Sequence, residues 1–100
     1  MISLQDLERI VPELIARLEK IRIDMSRYKK INTDYRAKTL MREIEAKVSQ
    51  IKKVHAAYKA TPSYRNKDFE NWVNLQEQYI KDCKAIYEKI MKYESVAGYN

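Results

Sequence analysis

Residues 4–28 read LQDLERIVPELIARLEKIRIDMSRY, and apolar side chains recur in this segment every three or four positions. The recurring positions are Leu4, Leu7, Val11, Leu14, Leu18, Ile21, Met25 and Tyr28. An α-helix completes one turn in about 3.6 residues, so this spacing places all of them on one helical face. The segment therefore predicts an amphipathic helix whose apolar face is buried against other parts of a fold.

Two later segments repeat this pattern. Their recurring positions are Ala37, Met41, Ile44, Val48, Ile51, His55 and Tyr58 in one, and Phe69, Trp72, Gln76, Tyr79, Cys83, Ile86, Ile90 and Tyr93 in the other. One glycine and two prolines leave few turn signals, which disfavours a strand-rich fold. We therefore expect residues 1–100 to form a single all-α domain, an antiparallel up-down-up three-helix bundle.

Two polar breaks separate the predicted helices. Asn32-Thr33-Asp34 lies between the first two apolar patterns, which are out of phase, and Thr61-Pro62-Ser63 follows the second. These breaks predict helices at about 3–30, 34–60 and 66–95. The open alternative to the first break is one continuous helix through both patterns, which would have to dimerise to cover its apolar faces.

Pro12 interrupts the first helical pattern, because proline lacks a backbone donor and clashes with the preceding turn. The apolar spacing stays in phase across it. We expect either a kink at Pro12 or a short turn at 3–10 that leads into a helix at 12–30. The chain ends at Asn100 without a natural tail, which fits a fragment of a longer protein.

Composition favours a soluble helical domain in a reducing compartment. Charged residues make up 34% of the chain and hydrophobic residues 45%, a balance that suits a packed bundle. The sequence contains no run of about 18 apolar residues, so we expect no membrane-spanning helix. The single cysteine, Cys83, cannot form an internal disulfide, which favours a cytoplasmic or nuclear location.

The residue types that carry catalysis are scarce. His55 is the one histidine and, like Cys83, it lies on an apolar pattern, where packing is its ordinary role. One cysteine and one histidine cannot supply a zinc site, and one glycine cannot form a phosphate-binding loop. We therefore expect no enzyme activity, no catalytic or metal-binding residues and no cofactor.

Positive charge is concentrated around the first break. The net charge is +6, and residues 31–60 hold seven basic and three acidic groups. We define the basic pole as the cationic and aromatic residues that flank this break: Arg27, Lys29, Lys30, Arg36, Lys38, Arg42, Tyr28 and Tyr35. Such a cluster can hold phosphates and stack on unpaired bases. The alternative is a solvated face with tyrosines that cover the end of the bundle.

The second break offers a candidate protein contact. Tyr64 and Arg65 fall in the expected loop, and both residue types are frequent anchors of interfaces. Further apolar residues flank the three patterns: Ile10, Ile15, Ile23, Leu40, Val54, Val73, Ile80 and Met91. If three helices cannot cover them all, an exposed apolar patch would favour self-association into a homo-oligomer.

Residues 35–40, YRAKTL, followed by His55 and by aromatics from Tyr64 to Tyr79 and at Tyr87, resemble the N-terminal helical region of insect LTR-retrotransposon Gag polyproteins. That region often has a basic segment before a helix, a histidine near its end and scattered aromatics in the next helix. The resemblance covers about half the chain. Lysines at 52 and 53 stand where the family pattern has a tryptophan. The resemblance implies a structural assembly domain.

Taken together, these features predict a non-enzymatic helical interaction or assembly module that binds another protein. The alternative is binding of RNA or an anionic membrane through the basic pole, as in a Gag-like structural protein. The expected partners are accordingly a protein, RNA or acidic lipid, or a second copy of the chain.

Overall fold

Three helices form the fold in the computed structural model, which describes the backbone of residues 4–60 and 66–97 and the side chains of residues 5–60 and 68–92. Helix α1 spans Leu4–Ser26, α2 spans Tyr35–Ala60 and α3 spans Asn66–Ala97. Each helix packs against both of the others. The predicted all-α three-helix bundle is therefore confirmed.

Helix α1 runs without interruption through Pro12, so the predicted alternative of a short turn leading into a later helix is wrong. The Pro12 ring is exposed, while Val11 and Leu14 on either side are buried. Packing of these neighbours holds the helix together across the missing hydrogen bond. The helix ends at Ser26, before the predicted end at residue 30. Just beyond Ser26 the backbone hydrogen bonds join residues three apart, as in a turn; the N–H of Arg27, for example, donates to the carbonyl of Asp24.

Asp34 caps the start of helix α2. Its carboxylate oxygen Oδ1 accepts hydrogen bonds from the backbone N–H groups of Arg36 at 3.0 Å and Ala37 at 3.4 Å. These are donors that the first turn of a helix leaves without partners, and a negative charge is also favoured at this end. Residues 27–34 form a turn, so the alternative of one continuous helix through both patterns is wrong.

The buried face of α1 is the predicted one. Within the described side chains, the recurring positions from Leu7 to Tyr28 are all buried, and the side chain of Leu4 lies outside them. The core of α2 differs at one position, because Leu40 is buried where Met41 was expected and Met41 lies at the edge. His55 and Tyr58 are half-buried at the end of the same face.

The predicted core face of α3 needs correction. Its buried positions are Phe69, Val73, Gln76, Ile80, Cys83 and Ile90. Trp72 and Tyr79 are half-buried, and Ile86 is 42% exposed. A residue three or four positions along an α-helix lies about 60° or about 40° around the helix axis from the starting residue. Both step lengths therefore fit one helical face, and the sequence alone does not show which of two neighbouring residues is buried. The position of α1 decides between them, because α1 meets α3 on the side of Glu77 and Ile80.

Side-chain contacts between helices give the relative directions. Glu8 near the start of α1 reaches Lys59 near the end of α2 at 3.2 Å, and the Tyr58 ring at the same end of α2 lies 4.2 Å from the ring of Phe69 near the start of α3. Helices α1 and α3 are therefore parallel to each other and antiparallel to α2, as the up-down-up arrangement requires. None of the helices in the described part of the chain is long and apolar enough to cross a membrane.

Candidate interaction surfaces

The basic pole lies at the end of the bundle formed by the turn at 27–34 and the start of α2. Arg27, Lys29, Lys30 and Arg42 are exposed there, and Lys38 is half-buried. The cations follow the short turn and the first two turns of α2, so their charges share one end of the molecule. This arrangement can attract phosphates through summed charge.

Two members of the basic pole have other roles in the structure. Tyr28 is only 8% exposed, and its hydroxyl donates a hydrogen bond to Oδ2 of Asp34 at 3.3 Å. Its ring is therefore part of the core and cannot stack on a base. Arg36 is exposed, but its guanidinium pairs with the same Asp34 carboxylate at 3.3 Å. Tyr35 is 80% exposed and is the accessible aromatic of this pole.

Asp34 connects these groups electrostatically. Burial alone would raise the pKa of its carboxyl, but hydrogen bonds from Arg36 and Ala37 outweigh that effect and hold the pKa below its usual value. The carboxylate therefore stays charged at neutral pH and offsets part of the positive charge of Arg36. The exposed cations of the basic pole are then mainly Arg27, Lys29, Lys30 and Arg42.

Tyr64 and Arg65, the candidate contacts of the second loop, lie outside the described residues. The end of α2 that leads to this loop is described. There Tyr58 packs edge-on against Phe69, with ring centroids 4.2 Å apart, and against Trp72 at 6.0 Å. These aromatics join α2 to the start of α3, which is the packing role expected of Phe69 and Trp72.

A second surface follows the junction of α2 and α3. Three depressions follow one another along this junction: the first and second share Glu43, and the second and third share Lys47, Gln50 and Tyr79. Together they make one open channel, the α2–α3 groove. Its α2 wall consists of Tyr35, Arg36, Thr39, Leu40, Glu43, Ala46, Lys47, Gln50 and Val54. Its α3 wall consists of Trp72, Leu75, Gln76, Gln78, Tyr79, Asp82 and Ile86.

Large apolar side chains remain exposed along this groove. Leu75 is 67% exposed and Ile86 is 42% exposed on α3, and Tyr35 faces Ile86 from the start of α2. Sequence reasoning missed Leu75, although its signal was present. Trp72, Leu75, Tyr79 and Ile86 follow one another at helical spacing, so α3 carries a second apolar face beside its core face.

The middle of the groove is built around Tyr79. The Lys47 ammonium lies 4.6 Å from the centroid of the Tyr79 ring, a cation–π contact across the two helices. Burial, with a contribution from Cys83, raises the pKa of the Tyr79 hydroxyl, so the phenol is neutral. Burial also raises the pKa of the Cys83 thiol, which therefore behaves as a small buried apolar group.

The α3 wall includes one buried amide. Gln76 is 5% exposed, and its Nε2 donates a hydrogen bond to the backbone carbonyl of Trp72 at 3.2 Å. Its Oε1 has no hydrogen-bond partner among the described residues.

The opposite end of the bundle holds a cluster of polar side chains around Glu8. Its Oε1 lies 3.2 Å from Lys59 Nζ and 3.3 Å from His55 Nε2. The hydrogen bond from Lys59 is the main cause that lowers the pKa of the Glu8 carboxyl. The cluster joins the start of α1 to the end of α2. Among the described side chains, no group of three or more histidine, cysteine, aspartate or glutamate residues is placed to hold a metal ion.

Comparisons with protein-family models, with curated proteins and with solved structures find no match to this chain. The resemblance to the helical region of Gag polyproteins therefore stays a prediction.

Proposed function

We propose that this protein is a non-enzymatic interaction module whose α2–α3 groove receives an amphipathic helix of a partner protein. The observation that carries the proposal is the second apolar face of α3. Leu75 and Ile86 are exposed along the groove, and Tyr35 adds an exposed ring at one end. Large apolar side chains that stay exposed along a groove, with polar residues beside them, can form a contact site for a partner protein.

The shape of the groove favours a helix. Two antiparallel helices form its walls, and a further helix laid between them would complete a four-helix bundle with ordinary packing. Leu75 and Ile86 are separated by three turns of α3, or about 16 Å at the helical rise. A partner helix of about 12 residues with apolar side chains at i, i+4, i+7 and i+11 would cover that length.

The charges of the groove favour a protein over a nucleic acid. Glu43 and Asp82 are acidic and Lys47 is basic, while Arg36 is paired with Asp34. Phosphates would meet acidic groups on both walls. An apolar helix face, in contrast, needs no excess positive charge and gains from burying Leu75 and Ile86. The structural assembly role that the Gag resemblance implies is compatible with such a module, as is the cytoplasmic or nuclear location expected from the single cysteine.

Site-specific photocross-linking tests the proposal. A benzophenone side chain is placed at Leu75 or at Ile86 in the full chain, and cells that express it are irradiated. We expect the same partner to be captured from both groove positions, with the cross-link in a helical segment of the spacing given above. The matched control is the same group at Lys52, which is exposed on α2 and does not line the groove.

The outcomes separate the occupants of the groove. Capture of the same products from Lys52 would contradict the proposal, as would cross-links from Leu75 and Ile86 that map to loops or to RNA. A cross-linked product with twice the mass of the chain would assign the groove to a second copy of this protein. That result would replace the partner helix by self-association.

A second candidate function is phosphate binding through the basic pole. It is favoured by the exposure of Arg27, Lys29 and Lys30 within one turn, next to the 80% exposed Tyr35. Cations and an accessible aromatic are the elements that bind single-stranded RNA or an acidic membrane. Such binding would depend on charge rather than on base sequence, since the pole has no paired donors and acceptors arranged to read base edges.

A further inference from the structure

A cleft between α1 and α3 combines an apolar base with cationic walls. It has a volume of about 320 Å³ and is lined by Arg17, Lys20, Ile21, Asp24, Ile80, Lys84 and Tyr87. Ile21 and Ile80 are buried members of the core, and Tyr87 is half-buried. None of these residues lines the α2–α3 groove, so the cleft lies on a separate face of α3.

The charged side chains of the cleft sum to one net positive charge when the partner of Arg17 is included. Arg17 is neutralised by Glu77, which contacts it at 2.7 Å. Lys20 and Lys84 are exposed on opposite walls and make no ion pair with any described residue. Asp24 is the single acidic residue of the lining and offsets one of the two ammonium groups. A single bound negative charge would balance the other.

We propose that the α1–α3 cleft binds a monocarboxylate with an apolar chain or ring. Its apolar part would cover Ile21 and Ile80, and its carboxylate would lie between Lys20 and Lys84. A cavity of this size with an apolar base and a few polar groups at its rim is the usual form of a small-ligand site. The proposal does not depend on the partner helix in the α2–α3 groove.

Tyr87 adds a directional contact to this site. Burial, with a smaller contribution from Asp24, raises the pKa of its hydroxyl, so the phenol keeps its proton at neutral pH. A protonated phenol at the wall can donate a hydrogen bond to a carboxylate oxygen, and such charge-assisted bonds are strong. The lysines contribute long-range attraction, while their methylene chains cover the apolar part of a ligand.

Three probes in a titration of the ¹⁵N-labelled full chain test the proposal. Sodium octanoate carries both the chain and the charge, octan-1-ol carries the chain without the charge, and sodium acetate carries the charge without the chain. Below micelle-forming concentration, octanoate is expected to shift the amide signals of Ile21, Ile80 and Tyr87 with saturation. Octanol and acetate are each expected to bind at least tenfold more weakly.

Substitution of the two lysines gives the decisive comparison. Lys20→Gln/Lys84→Gln should weaken octanoate binding about tenfold, because both ammonium groups that attract the carboxylate are removed. Lys52→Gln/Lys53→Gln changes the net charge equally on α2 and should bind octanoate as the wild type does. Both pairs are exposed, so circular dichroism should show unchanged folding. Equal octanoate affinity in the two variants, equal affinity for octanol and octanoate, or shifts confined to the basic pole would each overturn the proposal.

Discussion

The hydroxyl of Tyr28 lies 3.3 Å from Oδ2 of Asp34, the residue that caps helix α2. Tyr28 is the last member of the apolar pattern that begins in α1, and its ring remains in the core although the helix has already ended at Ser26. One hydrogen bond therefore connects the end of the first apolar pattern to the start of the second helix. The turn at 27–34 is held between these two residues.

Replacement of Asp34 should destabilise the bundle through this turn. Asp34→Ala removes the acceptor of the Arg36 and Ala37 backbone donors and is expected to cost about 1 kcal/mol, within the range of about 0.5–2 kcal/mol for removal of a helix cap. Urea unfolding monitored by circular dichroism measures the difference. Glu88→Ala, at an exposed position of α3, is the control and should change stability by less than about 0.5 kcal/mol. Equal effects at both positions would show that the cap is not needed.

The charge of Asp34 should also make stability depend on pH. Because the pKa of its carboxyl is lowered in the folded state, its charge contributes stability above the ordinary value of 3.8, and that contribution is lost as the pH falls through the folded pKa. Asp34→Asn keeps a capping oxygen but removes the charge. The stability difference between wild type and Asp34→Asn should be present at pH 7 and shrink as the pH falls below the ordinary value of 3.8. A difference that stays constant as the pH is lowered would contradict this assignment.

Core truncations should distinguish Ile44 from Ile86, although both lie on predicted apolar patterns. Ile44 is completely buried, so Ile44→Ala should cost about 2–5 kcal/mol. Ile86 is exposed at the groove, and Ile86→Ala should cost less than about 1 kcal/mol. Thermal or urea unfolding measures both, with Lys52→Ala as the exposed control. A large loss of stability at Ile86 would place it in the core, as the spacing alone predicts.

Polar substitution in the α2–α3 groove should affect association more than folding. Leu75→Ser/Ile86→Ser removes exposed apolar surface, so helical content and cooperative unfolding should be retained. A benzophenone group at Gln50, on the opposite wall of the groove, should no longer capture the partner in this variant. Sedimentation equilibrium of wild type and variant tests self-association. A wild-type dimer that the variant dissociates would favour a second copy as the occupant.

Neutralisation of the basic pole should weaken phosphate binding if that second function exists. Arg27→Gln/Lys29→Gln/Lys30→Gln removes three exposed charges of the turn and should flatten the salt dependence of single-stranded RNA binding by about 0.7 for each phosphate that is no longer neutralised. The control is Lys52→Gln/Lys53→Gln/Lys81→Gln, with the same net charge. If wild type binds neither RNA nor acidic vesicles at low salt, the pole is a solvated face and the protein-binding proposal remains.

The spacing of apolar residues in the sequence does not show which residues of the candidate sites are buried, paired or exposed. The basic pole was visible as a cluster in the sequence, but the burial of Tyr28 and the pairing of Arg36 with Asp34 were not. Leu75 had a readable signal, since it continues the spacing of Trp72 and Tyr79. That signal could not be assigned to a groove until α2 was known to leave this face of α3 open.

Interactions between residues close together in the sequence determine the helices and the turn between α1 and α2. The apolar pattern of α1, the capping carboxylate of Asp34 and the fixed period of the α-helix act over a few residues, so the order of residues is enough to predict them. Whether Trp72 or Val73 enters the core depends instead on where α1 lies against α3. The α2–α3 groove and the α1–α3 cleft also depend on how the helices pack, because each is formed by residues that are distant in the chain.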